Sequence, residues 1–243
     1  MFLKIALMNN SGNVGKSMIC DNLLRTRIPN AEVIKIETIN SDGSNDETIS
    51  AKQIKQVFTL MDTHDTAIID VGASNIEIFM NNLRISNGAH EEIDYFLIPT
   101  TPKPKQQVDT LMTIEDLLNL GVEKEKIKLI FNFHDKDLTI KQNYSIIFAN
   151  DIAKTLELDK ISNQISISDN PVFDMLGELG YSFQDIASDK RDFKMLIRST
   201  DDKDERAQLS HLRSAQRLAI SFTQELDQTF ATLLKSCDIN LGE

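Results

Sequence analysis

The chain holds only two cysteines, Cys20 and Cys237, in 243 residues. Their spacing offers neither a disulfide framework nor a zinc site. Basic residues are outnumbered: 26 Lys and Arg against 37 Asp and Glu give a formal net charge of −11. That balance argues against a protein built to coat nucleic acid, which needs clustered positive charge for its phosphate contacts. No apolar run approaches the roughly 18 residues of a membrane-spanning helix. The N-terminal stretch has only Lys4 and a short apolar core, too little for a signal peptide. These absences lead to the expectation of a cytoplasmic protein. The four histidines, His64, His90, His134 and His211, share no metal-binding spacing. No nucleophile elbow, Cys/His pairing, internal repeat or low-complexity linker is present.

Hydrophobic residues make up 41% and charged residues 26%, as in ordinary folded domains. A chain of this length buries roughly 70–75% of its unfolded surface and needs no staple. Apolar runs alternate with helical patterns. Strands are predicted at Phe2–Met8, Ala31–Ile39, Thr66–Asp70, Asp94–Pro99 and Ile127–Phe133, with a weaker one at Gln164–Ile167. Helices are predicted from Gly15 to about Thr26, from Thr48 to Met61, after a Ser74/Glu77 capping box, from Val108 to Leu120, and over most of Ile140–Leu158. Unbroken apolar strands between helices indicate a parallel sheet covered on both faces. The fold expected is therefore α/β, a doubly wound, mostly parallel sheet. Residues 1–243 are read as one domain: a core of about 1–170 and a helical C-terminal part of about 171–243.

The strongest motif is Asn10-Ser11-Gly12-Asn13-Val14-Gly15-Lys16-Ser17, directly after the first strand and opening the first helix. That context suits a phosphate-binding loop. Loop N–H groups point at phosphate oxygens, glycines let the backbone come close, and Lys16 adds positive charge. The Ser17 hydroxyl is a candidate Mg²⁺ ligand. Gly12, Asn13, Val14, Gly15, Lys16, Ser17 and Met18 form the candidate nucleotide cradle. The place six residues before the lysine, glycine in the standard pattern, is Asn10. No third glycine follows in dinucleotide-binding spacing, so NAD is not expected.

Asp70 ends a buried strand, where ligands bind in open α/β sheets. It is a second candidate Mg²⁺ ligand. Gly72 follows it in Asp70-Val71-Gly72-Ala73-Ser74, which resembles a switch II segment; that resemblance implies a Gly72 N–H donated to a γ-phosphate. Glu37 and Asp42 follow the second strand, with Asn40 as a rival. Asn132 ends the fifth strand, and its amide suits a purine edge. Asn170-Pro171 is a candidate for the other side of a base pocket.

The loop resembles the deviant Walker A motif of ParA/MinD-type ATPases, Lys-Gly-Gly-x-Gly-Lys-Ser/Thr. Its form Asn-x-Ser-Gly-Asn-Val-Gly-Lys is similar to that of StbB-type plasmid stability proteins. The resemblance spans roughly residues 1–170, specific at the loop and topological elsewhere. It implies a P-loop NTPase binding ATP and Mg²⁺, with Glu37 or Asp42 positioning the attacking water, Pro99-Thr100-Thr101-Pro102 lining the site and Asn132 reading adenine. It implies a nucleotide switch in plasmid stability, partition or conjugation, with a plasmid-encoded DNA-binding partner and a nucleotide-dependent homodimer. Ser11 stands where the family has its signature lysine and Asn13 where it has its second glycine. The first departure argues against the sandwich dimer and against fast hydrolysis, because a positive charge on the transferring phosphate is missing.

Two other readings remain open. One is a nucleotide-binding adaptor without turnover, favoured by Asn10, Ser11 and Asn13. The other is a metabolic P-loop ligase of the same fold, which needs a second-substrate pocket that no polar cluster in the sequence supplies. The resemblance also implies direct non-specific DNA binding through Lys190, Arg191, Lys194, Arg198, Lys203, Arg206, Arg213 and Arg217. Acidic residues from Asp189 to Glu205 lie among them and favour a solvated face. Phe222, Leu226, Phe230, Leu233 and Leu234 form an apolar stripe expected to pack on protein, not on a membrane.

Overall fold

The structure, a computed structural model, describes residues 2–37, 47–49 and 55–241. Seven parallel strands form one sheet in the order β3-β2-β4-β1-β5-β6-β7. They are β1 (Leu3–Leu7), β2 (Glu32–Ile36), β3 (Glu47–Ile49), β4 (Thr66–Val71), β5 (Tyr95–Thr100), β6 (Ile127–His134) and β7 (Ile165–Ser168). From β1 the chain builds one half of the sheet through β4, then crosses to β5 and builds the other half. This is a doubly wound α/β fold, and the crevice beside β1 is where such sheets bind ligands.

Burial explains the strands. Every residue of β4 is buried, as are Ile5, Ala6 and Leu7 of β1. Continuous apolar runs suit a sheet covered on both faces. Lys4 is accommodated because its ammonium donates to the carbonyls of Met61 and His64. Those carbonyls close helix α2 (Lys55–Thr63), where a cation complements the helix dipole.

Two expectations change. Thr48 and Ile49 belong to β3, paired with Lys35 and Ile36, and not to a helix. The described helix begins only at Lys55. The Ser74/Glu77 capping box does not form. A 3₁₀ turn at Ala73–Asn75 precedes helix α3 (Ile76–Ile85), which has no side-chain cap. The Asn75 amide is spent on the Ile36 carbonyl at 3.2 Å and on Ser74. The capping box that does form joins Thr139 and Gln142, ahead of the short helix Ile140–Asn143.

Two compact units are present: Met1–Ser168 with Thr229–Glu243, and Asp169–Gln228. In the first, Thr229 donates to the Ser166 carbonyl at 2.8 Å, Lys128 to Ser236 at 2.5 Å, and Tyr95 to Cys237. Phe230 and Leu233 are buried, as the stripe predicts. In the second, Phe173, Phe183 and Phe222 form an aromatic cluster, with ring centroids 5.5–5.9 Å apart. No described helix is long and apolar enough to cross a membrane.

Candidate functional site

The predicted phosphate loop lies between β1 and helix α1 (Lys16–Met18), which runs on as a π-helical turn over Ile19–Leu24. Asn13 (φ 57°) and Gly15 (φ 86°) are both left-handed. Alternation of left- and right-handed residues makes a concave nest of N–H groups, a geometry that binds anions. Only glycine fits at position 15: a Cβ there would overlap the Asn132 amide nitrogen. At Gly12 an added Cβ would meet nothing within 4 Å.

The loop is held from beneath by polar side chains. Asn132, fully buried at the end of β6, donates its amide to the Val14 carbonyl at 2.9 Å. The Tyr144 hydroxyl fixes that strand end by donating to the Asn132 carbonyl at 2.7 Å. Helix α4 (Pro104–Leu120) supplies more support. Gln106 donates to the Gly12 carbonyl at 3.0 Å, and the Thr113 hydroxyl accepts from the Asn10 N–H at 3.0 Å. Asn9 donates its side-chain amide to the Pro99 carbonyl and to Thr110, each at 2.7 Å, and its side-chain Oδ1 accepts the Ser11 N–H at 2.7 Å. The Pro99–Pro102 turn thus serves as an anchor for the loop.

Charge is concentrated at the carboxyl ends of β1, β2 and β4. The Lys16 ammonium curls back to the Ser11 carbonyl at 3.2 Å and the Asn9 carbonyl at 3.5 Å. Burial lowers its pKa, and the Asp70 charge opposes that shift. Burial pushes the Asp70 carboxyl up to about 6, against the pull of Lys16 and Lys35, while Glu37 and Asp21 push the same way as burial. Lys35 is in register with Asp70 on the neighbouring strand. A buried carboxylate with a raised pKa beside a lysine marks a candidate functional site.

Lys16, Asp70 and Glu37 are therefore brought together. Gly72 sits beside Glu37, but its N–H donates to the Ile36 carbonyl at 3.0 Å. Ser17 is exposed, Met18 half-buried and Val14 fully buried. Asn132 has spent its amide nitrogen on the loop, and its Oδ1 has no partner among the described residues. Asp42 lies outside the described residues. Pro171 caps the helix Val172–Leu179 in the second unit. There too, Arg191 is clamped by Asp189 at 2.6 Å, and Arg206 donates to the Thr200 carbonyl.

Sequence reasoning missed Asn9, Lys35, Gln106, Thr110, Thr113 and Tyr144. One signal was available. Gln106, Thr110 and Thr113 recur at i, i+4 and i+7 on the face of a helix where apolar residues belong.

The oxygen donors Ser17 and Asp70 suit a hard cation such as Mg²⁺. Among the described residues no group of three or more His, Cys, Asp or Glu could hold a metal alone.

No protein-family model matches the chain, and no curated protein does. The chain is similar to several solved structures. One is a candidate plasmid partition protein from Borrelia burgdorferi B31 bound to AMPPNP, with a TM-score of 0.48 and 14% identity, covering 88% of this chain and 98% of that one. Another is the MinD cell division protein of Aquifex aeolicus, with a TM-score of 0.45 and 14% identity, covering 93% and 97%. A third is an ATP complex of a McdA variant from Cyanothece, with a TM-score of 0.48 and 13% identity, covering 88% and 96%.

Proposed function

We propose that this protein is a P-loop ATPase of slow turnover that acts as a nucleotide switch. The observation that carries the reading is the loop itself, with left-handed Asn13 and Gly15 ahead of Lys16, whose charge acts on the buried Asp70. The loop N–H groups and Lys16 would bind the phosphates of ATP. Ser17 and Asp70 would hold Mg²⁺, which when bound neutralises charge on the β- and γ-phosphate oxygens. Glu37, or Asp42, would orient the attacking water. Asn132 would face the base with Oδ1 alone, its amide being taken by Val14.

Slow turnover follows from position 11. Ser11 is buried, its N–H is tied to Asn9, and it brings no charge to the transferring phosphate. Switching would proceed through Gly72. Its N–H must leave the Ile36 carbonyl to reach a γ-phosphate, so ATP would reorder the segment after β4 and hydrolysis would release it. By the resemblance of the loop, the biological role is plasmid stability, partition or conjugation. It would work with a plasmid-encoded DNA-binding partner, and a nucleotide-dependent homodimer belongs to the same proposal.

The same Gly72–Ile36 bond favours a second reading, an adaptor that binds ATP without hydrolysing it. Calorimetry with ATP and Mg²⁺, parent against Lys16→Ala, followed by phosphate release, separates the readings. Binding that Lys16→Ala abolishes, with slow release, is expected. Binding without release leaves the adaptor. An absence of binding by the parent defeats both.

A further inference from the structure

Phe133 breaks two rules at once. Its φ is +58°, a left-handed conformation that Asn and Asp tolerate and that is an outlier for a bulky residue. The residue is also 36% exposed, directly after Phe131 and Asn132, which are fully buried. The cause is local. The pairing of β6 with β7 shifts register between Asn132 and His134, and such a bulge re-aims a side chain.

The bulge turns the ring towards the phosphate loop. The nearest ring carbon, Cε2, lies 3.8 Å from where a Gly15 Cβ would stand. The Asn132 side-chain amide meets the same point, and its Oδ1 is a buried acceptor with no partner among the described residues. The backbone path alone does not need phenylalanine. Glycine would carry the chain through the same bulge, into the His134–Asn143 contact at 2.6 Å, without strain. The fold thus carries a strained backbone and a solvent-exposed ring at the rim of the loop. Strain of this kind clusters at ligand sites.

We propose that Phe133 is the stacking platform for the base of the bound nucleotide. The proposal rests on the nucleotide-binding reading and adds to it the residue that meets the face of the base. Because every base has a π-face, stacking supports ATP and GTP alike.

The test compares the parent with Phe133→Ala, Phe133→Gly and Phe133→Tyr by calorimetry with ATP, GTP and inorganic tripolyphosphate, each with Mg²⁺. Phe133→Ala and Phe133→Gly should weaken ATP and GTP at least roughly tenfold, as loss of one aromatic–base stack does. Tripolyphosphate, which has no base, should bind as before, and Phe133→Tyr should match the parent. The Phe133→Gly variant should melt no lower than the parent, which separates a ligand role from a structural one. Equal ATP binding by parent and Phe133→Ala overturns the proposal. So does an equal loss of tripolyphosphate, which would mean a disturbed loop. A parent that binds neither ATP nor tripolyphosphate overturns the nucleotide reading itself, and this proposal with it.

Discussion

Asn132 donates its side-chain amide to the Val14 carbonyl at 2.9 Å, so the last buried residue of one strand holds the middle of a loop that follows another. The bond lies in a fully buried setting, where a lost partner costs more than the bond itself contributes. Asn132→Asp would set a carboxylate against a carbonyl, acceptor against acceptor. The expected loss is about 3 kcal/mol in urea unfolding at pH 7, with weaker ATP binding. An Asn132→Asp variant as stable as the parent would show that the loop does not depend on this bond.

The two loop glycines should part company. Gly15→Ala adds a Cβ into Asn132 at a left-handed residue. It should destabilise by about 2 kcal/mol and lose nucleotide binding. Gly12→Ala meets nothing, so its melting temperature should stay within a few degrees of the parent. Its ATP affinity should still fall, because phosphate needs close backbone approach at this loop. Thermal melts with and without ATP distinguish the two.

Asp70 predicts a pH dependence for the metal- and nucleotide-free protein. Its folded-state pKa is raised to about 6 from 3.8. The folded protein therefore holds a proton that the unfolded chain releases. The stability linked to this group is complete below about pH 4 and is lost as pH rises through about 6. Asp70→Asn should be more stable than the parent at pH 8, by up to about 3 kcal/mol, with a smaller gain because Lys16 loses its counter-charge. The difference should close below pH 4. A gap between the two that does not change with pH would show that Asp70 titrates normally.

Both thiols should be inert in the folded state. Cys20 and Cys237 are buried, and burial pushes the Cys237 thiol up to about 12. Alkylation by iodoacetamide at pH 8 should be at least tenfold slower than in urea-unfolded protein. Fast labelling of the native protein would show that the C-terminal segment opens readily.

Much of the fold was legible along the chain because it depends on local pattern. Apolar runs at Leu3–Leu7 and Thr66–Val71 and the Gly121 helix stop, left-handed at φ 98°, carry their meaning in neighbouring residues. The edge strand β3 was not legible. Its residues Glu47–Ile49 are too few for a periodic signal and become a strand only by pairing with β2.

The site divides in the same way. The loop from Asn10 to Ser17, with its glycines, Lys16 and the strand before it, is determined by the sequence, because phosphate binding by a strand–loop–helix turn is a contiguous device. Its supports are not contiguous. Asn132 and Gln106 act across 118 and 94 residues of chain. Nothing in the spacing of Lys35 and Asp70 shows that they share a register on adjacent strands. The strand order decides that, because only the folded sheet brings those side chains within reach and buries them where charge and hydrogen bonds are strong.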